Sequence, residues 1–136
     1  MRYSVDHTNR LERFIETVRD KPMPTGQAST DWLRANNFKD RRDKQFLEIL
    51  ELLDFVDSDM KPNQNWVSFQ DKSKSTSLMS KILREKYSFL FDRYPDATNQ
   101  SDANLEKIFV DRKFSEDQAG KAVETLKILL RFAGWM

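Results

Sequence analysis

The chain contains no cysteine. Disulfide staples, thiolate chemistry and cysteine-bound zinc are excluded with it. Histidine is nearly absent as well: His7 is the single imidazole in 136 residues, so acid-base or nucleophilic catalysis has no partner set to draw on. We read His7 as a solvent-exposed side chain in a short N-terminal arm, Met1 to Thr8. The three glycines, Gly26, Gly120 and Gly134, stand far apart and make no loop that cradles phosphate. Asp54, Asp57 and Asp59 lie close together but lack the spacing and the glycine of a calcium loop, and read as helix end and turn. Neither a metal, nor another cofactor, nor an enzymatic activity is expected. Long apolar runs are missing, as is a charged-then-apolar leader, which makes a cytoplasmic protein with no membrane role the expectation. Excess charge is missing too. With 23 basic and 22 acidic residues the net charge is +1, which is no footprint of a general nucleic-acid binder.

What is present is a soluble composition with 38% hydrophobic residues and a generous aromatic set of ten Phe, three Trp and three Tyr to fill a core. Charge is uneven: residues 61 to 93 carry seven basic and three acidic side chains, whereas residues 1 to 57 carry ten and eleven. A positive face in the middle of the chain is one reading of this and a solvated surface is the blander one.

The chain is organised around Phe38 to Val56. Phe46, Ile49, Leu50, Leu53 and Val56 recur at helical spacing while Gln45, Glu48 and Glu51 take the other face, so the stretch predicts an amphipathic helix. Asp40 is placed to cap it, and Arg41, Arg42 and Lys44 cluster in its first turn. Before it, Asn9 and Glu12 open a first helix with Leu11, Phe14, Ile15 and Val18 inward, and Ser29 or Thr30 caps a short second helix that ends at Asn36-Asn37. After it, Trp66-Val-Ser-Phe69 alternates like a half-buried strand and would pair with Asp54 to Asp57 as a small hairpin. A fourth helix is expected from Leu78 to Tyr94, a fifth from Ser101, and a sixth from the capping box Ser115-Glu-Asp-Gln118.

An offset of 76 residues superimposes the two halves: Leu11, Phe14, Ile15 and Val18 fall on Tyr87, Leu90, Phe91 and Tyr94, and Phe38 falls on Phe114. The expected fold is therefore mainly α, with tandem winged-helix-like (helix-turn-helix) units, about six helices and one small β-hairpin. Residues 1–70 form the first unit with its hairpin and 78–136 the second, packed as a single body over 1–136.

Several segments resemble a known family. Leu11-x-x-Phe14-Ile15, Trp32-Leu33, Phe38 with Arg41-Arg42, Leu53-Asp-Phe-Val-Asp57, Lys61-Pro62, Phe69-x-Asp71, Tyr87-x-x-Leu90-Phe91, Tyr94-Pro-Asp-Ala97 and Phe114-Ser115 are similar to the prokaryotic domain-of-unknown-function family numbered 5343. The family tends to have Gly where Asn37 and Asp54 stand, and Gly-Lys-Pro-Thr where this chain has Met60-Lys-Pro-Asn63. The resemblance implies a winged-helix-like protein of prokaryotic or phage type and brings no activity and no catalytic residues.

Two functions follow as expectations. In the first the chain is a regulatory protein that binds double-stranded DNA: Arg41, Arg42 and Lys44 reach base edges or phosphates, and Lys61 and Asn63 touch the backbone from the wing. Asp40 and Asp43 stand among those cations and would repel phosphate, or would tie them into a structural network; both readings stand at this point. In the second the chain is an adaptor or inhibitor that binds another protein, or itself as a homodimer, through an aromatic patch of Trp66, Trp135 and Phe89.

Overall fold

The computed structural model describes residues 3–135, and over these residues the chain is carried by eight α-helices. They are α1 (Leu11–Asp20), α2 (Thr30–Ala35), α3 (Gln45–Leu52), α4 (Gln64–Phe69), α5 (Ser75–Lys86), α6 (Ser88–Arg93), α7 (Asp102–Asp111) and α8 (Glu116–Phe132). Short 3-10 turns occupy Thr8–Arg10, Arg41–Lys44 and Ala97–Asn99. Met1 and Arg2, the start of the expected arm, and Met136 lie outside the described residues.

Apolar spacing places the helices. In α1 the stripe Leu11, Phe14, Ile15 and Val18 is buried as its period requires. Helix α8, the longest at 17 residues, starts at a true capping box in which Ser115 and Gln118 satisfy one another's backbone amides. It packs on α7 and α5 from its own half and on α1 from the other, so one hydrophobic core runs through both halves. In the first half, Phe14 stacks on Phe46 at 4.7 Å, and Phe38 meets both rings edge-on at 5.6 and 5.7 Å.

The winged-helix expectation is overturned, because no β-strand exists among the described residues and eight helices replace the expected six. Residues 66 to 69, expected as the second strand of the hairpin, form helix α4. Trp66 and Phe69, three apart, are both wholly buried while Val67 between them is exposed, which is a helical period and not an alternating one. Asn63 starts this helix by accepting from the amides of Asn65 and Trp66. All that remains of a hairpin is one bridge between Val56 and Pro62. Pro62 has no N–H with which to extend a ladder, and Met60 before it turns left-handed at φ 61°. The expected helix from Leu78 to Tyr94 is likewise broken into α5 and α6 at Tyr87.

One turn recurs at the 76-residue offset. After α2 the amides of Asn36, Asn37 and Phe38 bond the carbonyls of Leu33, Arg34 and Leu33, and after α7 those of Arg112, Lys113 and Phe114 bond Phe109, Val110 and Phe109. Every partner is displaced by the same 76 residues. Both turns need a left-handed residue, which is Asn37 (φ 70°) in one and Lys113 (φ 77°) in the other. Lysine is strained there and asparagine less so. Lys113→Gly is therefore expected to stabilise the fold by about 0.5 to 1 kcal/mol, the relief of strain less the added freedom of an unfolded glycine. Thermal unfolding should show the midpoint rising by roughly 2–4 °C.

Candidate nucleic-acid interface

The turn between α2 and α3 is built inward from a carboxylate. Asp40 caps the 3-10 turn Arg41–Lys44 by accepting from the Arg42 amide at 2.8 Å, and the Asp40 amide donates to Asp43 Oδ2 at 3.0 Å. Asp43 is almost wholly buried. Its Oδ1 lies 2.8 Å from His7 Nε2, and its Oδ2 accepts from Arg10 Nη1 at 2.8 Å. A carboxylate held by a guanidinium offers lone pairs only, so His7 Nε2 carries the shared proton. Arg10 reaches further, donating through Nη2 to the Asn37 carbonyl at 2.8 Å, and its guanidinium lies over the Phe38 ring at 5.1 Å. His7 itself stacks on Phe46 at 5.2 Å.

His7 is thus buried and engaged, not exposed in an arm, because Val5 is wholly buried and pulls the N-terminal segment onto α3 and α8. Neither His7 nor Arg10 was among the residues singled out as functional in the sequence. Their partner Asp43 sits 36 and 33 positions away, and its only local signal was its place three residues after the Asp40 cap.

Outward from this cluster the turn is cationic. Arg41 and Lys44 are exposed, as are Arg13, Arg34 and Lys39 around them, and none of the five has an ion pair among the described residues. Arg13 also lies over the Phe38 ring, 5.5 Å from its centroid. Arg42 alone is paired, its Nε and Nη2 each 3.3 Å from Asp40. That pairing, with the Arg42 amide bond second, holds the Asp40 carboxyl down at about 2 against an ordinary 3.8. A carboxyl whose folded value lies below its unfolded one stabilises the fold above the unfolded value and loses this as acid reaches the folded value. The gap in thermal midpoint between the parent chain and Asp40→Asn should therefore be full above pH 4 and close as pH falls from about 4 to about 2.

The other residues named from the sequence are dispersed. Lys61 is exposed on the loop closed by the Val56–Pro62 bridge, whose Met60 carbonyl is fastened to the Ala28 amide at 2.7 Å. Asn63 is committed to the fold, capping α4 with its oxygen and donating through Nδ2 to the Asp54 carbonyl at 2.8 Å. Trp66 is a core residue with no exposure, its indole N–H donating to the Val18 carbonyl at 3.0 Å. Trp135 is half-buried, with Phe91 edge-on at 5.3 Å and the Arg84 guanidinium 4.5 Å above it. Phe89 is covered by Arg112 at 4.0 Å, so the three rings make no common patch. Among the described residues no group of three or more His, Asp or Glu converges as a metal site, and no helix is long and apolar enough to cross a membrane.

Over the described residues the fold is all-α, and the turn between α2 and α3, held on a buried His7-Asp43-Arg10 cluster, presents cations that have no ion pair among those residues. The chain belongs to the family of unknown function DUF5343, whose pattern matches residues 3–136. No curated protein and no solved structure matches it.

Proposed function

We propose that this chain is a non-enzymatic regulatory protein that binds duplex DNA, gripping the phosphate backbone through Arg41, Lys44 and the cations that flank them. The observation that carries this reading is the fate of the two acidic residues in the turn. Asp43 points inward to His7 and Arg10, and Asp40 is matched by Arg42, so neither presents an unbalanced negative charge to an approaching phosphate. What the turn offers to solvent is positive, on a scaffold too well anchored to swing away. Contacts of this kind fix register on the duplex and are sensitive to salt, and they carry little sequence information by themselves.

The test is a titration of a mixed-sequence duplex with the full chain, followed by fluorescence anisotropy at low and moderate salt. The triple change Arg41→Ala/Arg42→Ala/Lys44→Ala is expected to weaken binding on the order of 10- to 100-fold at low salt and to flatten the salt dependence by roughly two phosphate contacts. Lys61→Ala, on a separate loop, should leave binding unchanged. Indifference to the triple change would defeat the proposal. The rival adaptor reading draws no support from Trp66 and Trp135, since one ring lies in the core and the other is sandwiched by its own neighbours.

A further inference from the structure

The seven basic side chains between residues 61 and 93 have different fates in the fold. Lys86 is paired with Asp54 at 2.7 Å and Arg93 with Asp111 at 3.1 Å, and Lys74 lies 3.9 Å from Asp71. Lys61, Lys72, Lys81 and Arg84 have no ion pair among the described residues. Two of these four share one side of one helix. Lys74, at the N-cap of α5, then Ser77, Lys81 and Arg84 recur at three- and four-residue spacing, and all four are exposed.

Ser77, Lys81 and Arg84 line a groove of about 580 Å³ together with Thr76, Ser80 and Ala133, the residue after α8. The hydroxyls of Thr76, Ser77 and Ser80 have no hydrogen-bond partner among the described residues and are open to donate. Glu85 is the one acid lining the groove among those residues, and it pairs with neither cation. Arg84 is positioned by a ring instead of an acid: its guanidinium lies over Trp135 at 4.5 Å, with Phe91 edge-on to the same ring at 5.3 Å. An aromatic face orients a cation without cancelling its charge, whereas Asp54 and Asp111 offset Lys86 and Arg93. Arg84 also lines a smaller cleft of about 270 Å³ with Phe91, Pro95 and Trp135. One guanidinium thus joins a cationic, hydroxyl-rich groove to an aromatic cleft.

We infer that this surface takes a single strand of nucleic acid, its phosphates along Ser77, Lys81 and Arg84 and an unpaired base in the cleft beside Phe91, stacked on the Arg84 guanidinium. Cations and hydroxyls suit a phosphodiester backbone, and the adjoining aromatic cleft suits a base whose faces are free. A duplex keeps its bases stacked within the helix and has none to place there. The site lies apart from the Arg41–Lys44 turn. The segment fastened to that turn through His7 and Asp43 reaches α8 at Glu124, whereas Thr76 lies close against Gly134, past the end of the same helix. The inference therefore does not rest on the duplex-binding reading.

Labelled oligothymidylate and a mixed-sequence duplex, each titrated with the full chain by fluorescence anisotropy, test it. The parent chain is expected to bind the strand at low salt. Lys81→Ala/Arg84→Ala should weaken strand binding on the order of tenfold and flatten its log–log salt slope by about 1.4, two contacts at about 0.7 each, while changing duplex binding by less than about twofold. Both positions are exposed, and an unchanged thermal midpoint checks that the variant is folded. Arg84→Lys keeps the charge without the planar fork and should show only part of the loss. The strand should also quench Trp135 fluorescence, and Trp135→Phe, which keeps a ring beneath Arg84, should abolish the quench. No strand binding by the parent chain, an affinity indifferent to the double change, or a quench that survives Trp135→Phe overturns the site. Inorganic polyphosphate that displaces the label as well as unlabelled oligothymidylate of equal charge overturns the base cleft, and the single-strand assignment with it. Equal loss of strand and duplex binding makes the stripe part of a duplex surface and overturns the inference as well. A parent chain that binds the strand but not the duplex defeats the duplex reading and supports this one.

Discussion

Asp43→Ala is expected to destabilise the protein by about 3 kcal/mol, although it removes a negative charge from a turn crowded with positive ones. The alanine would leave the buried His7 Nε2 without its acceptor, strip one bond from Arg10 Nη1 and release the Asp40 amide. Breaking a buried ion pair by deleting one member costs about 3–5 kcal/mol, and the lower figure applies because the Arg10 side chain is 26% exposed and recovers part of its solvation. Simple charge counting predicts the reverse. A solvent-facing carboxylate among Arg41, Arg42 and Lys44 would add at most modestly to stability, and its loss would strengthen phosphate binding. Urea unfolding of Asp43→Ala, paired with a duplex titration well below its midpoint, distinguishes the two. The buried cluster predicts a marked fall in stability and no gain in DNA affinity. Asp43→Asn, which keeps one acceptor, should fall between the alanine variant and the parent chain.

Trp66→Ala should be the most damaging single change outside the turn, at about 4 kcal/mol. The indole has no exposure and meets Trp32 edge-on at 5.3 Å and Phe55 at 6.5 Å, so its deletion opens a cavity where α1, α2 and α4 converge. The lost hydrogen bond adds less, because the Val18 carbonyl retains Gln70 Nε2 at 3.0 Å as a second donor. Trp66→Phe therefore isolates the indole N–H and the smaller volume, and should cost roughly 1–2 kcal/mol. Were Trp66 part of a surface patch awaiting a partner, as the adaptor expectation had it, the alanine variant would shift stability by less than about 0.5 kcal/mol. Denaturant midpoints of the two variants decide this directly.

Local capping rules held at some helix starts and failed at others: Asn9, expected to open α1 with Glu12, lies inside the 3-10 turn Thr8–Arg10, and Ser29 stands before α2 without a side-chain cap bond. Ser101 and Ser115 cap α7 and α8 as their positions imply, Asp40 caps the 3-10 turn that leads into α3 instead of the helix itself, and Leu11, Phe14, Ile15 and Val18 are buried as their spacing implies. Asn37, Asp54 and Met60 are left-handed here at φ 70°, 56° and 61°, the backbone conformation that the glycines implied by the resemblance at these positions would adopt without strain. Trp66-Val-Ser-Phe69 shows where such rules fail. Four residues satisfy an alternating and a helical period equally well, and the choice fell to Asn63, which caps a helix, and to the hole beside Val18 that fits an indole.

From its residues alone the chain determined a mainly helical core, a 76-residue offset between similar apolar patterns and a cluster of cations after Asp40, because amphipathic period and charge are properties of neighbours in sequence. Whether those cations are free, and which acids oppose them, was decided only in three dimensions. His7, Arg10 and Asp43 meet across more than thirty positions when Val5 and Phe46 are buried, and the desolvation of Asp43 then obliges it to face inward rather than toward Arg41.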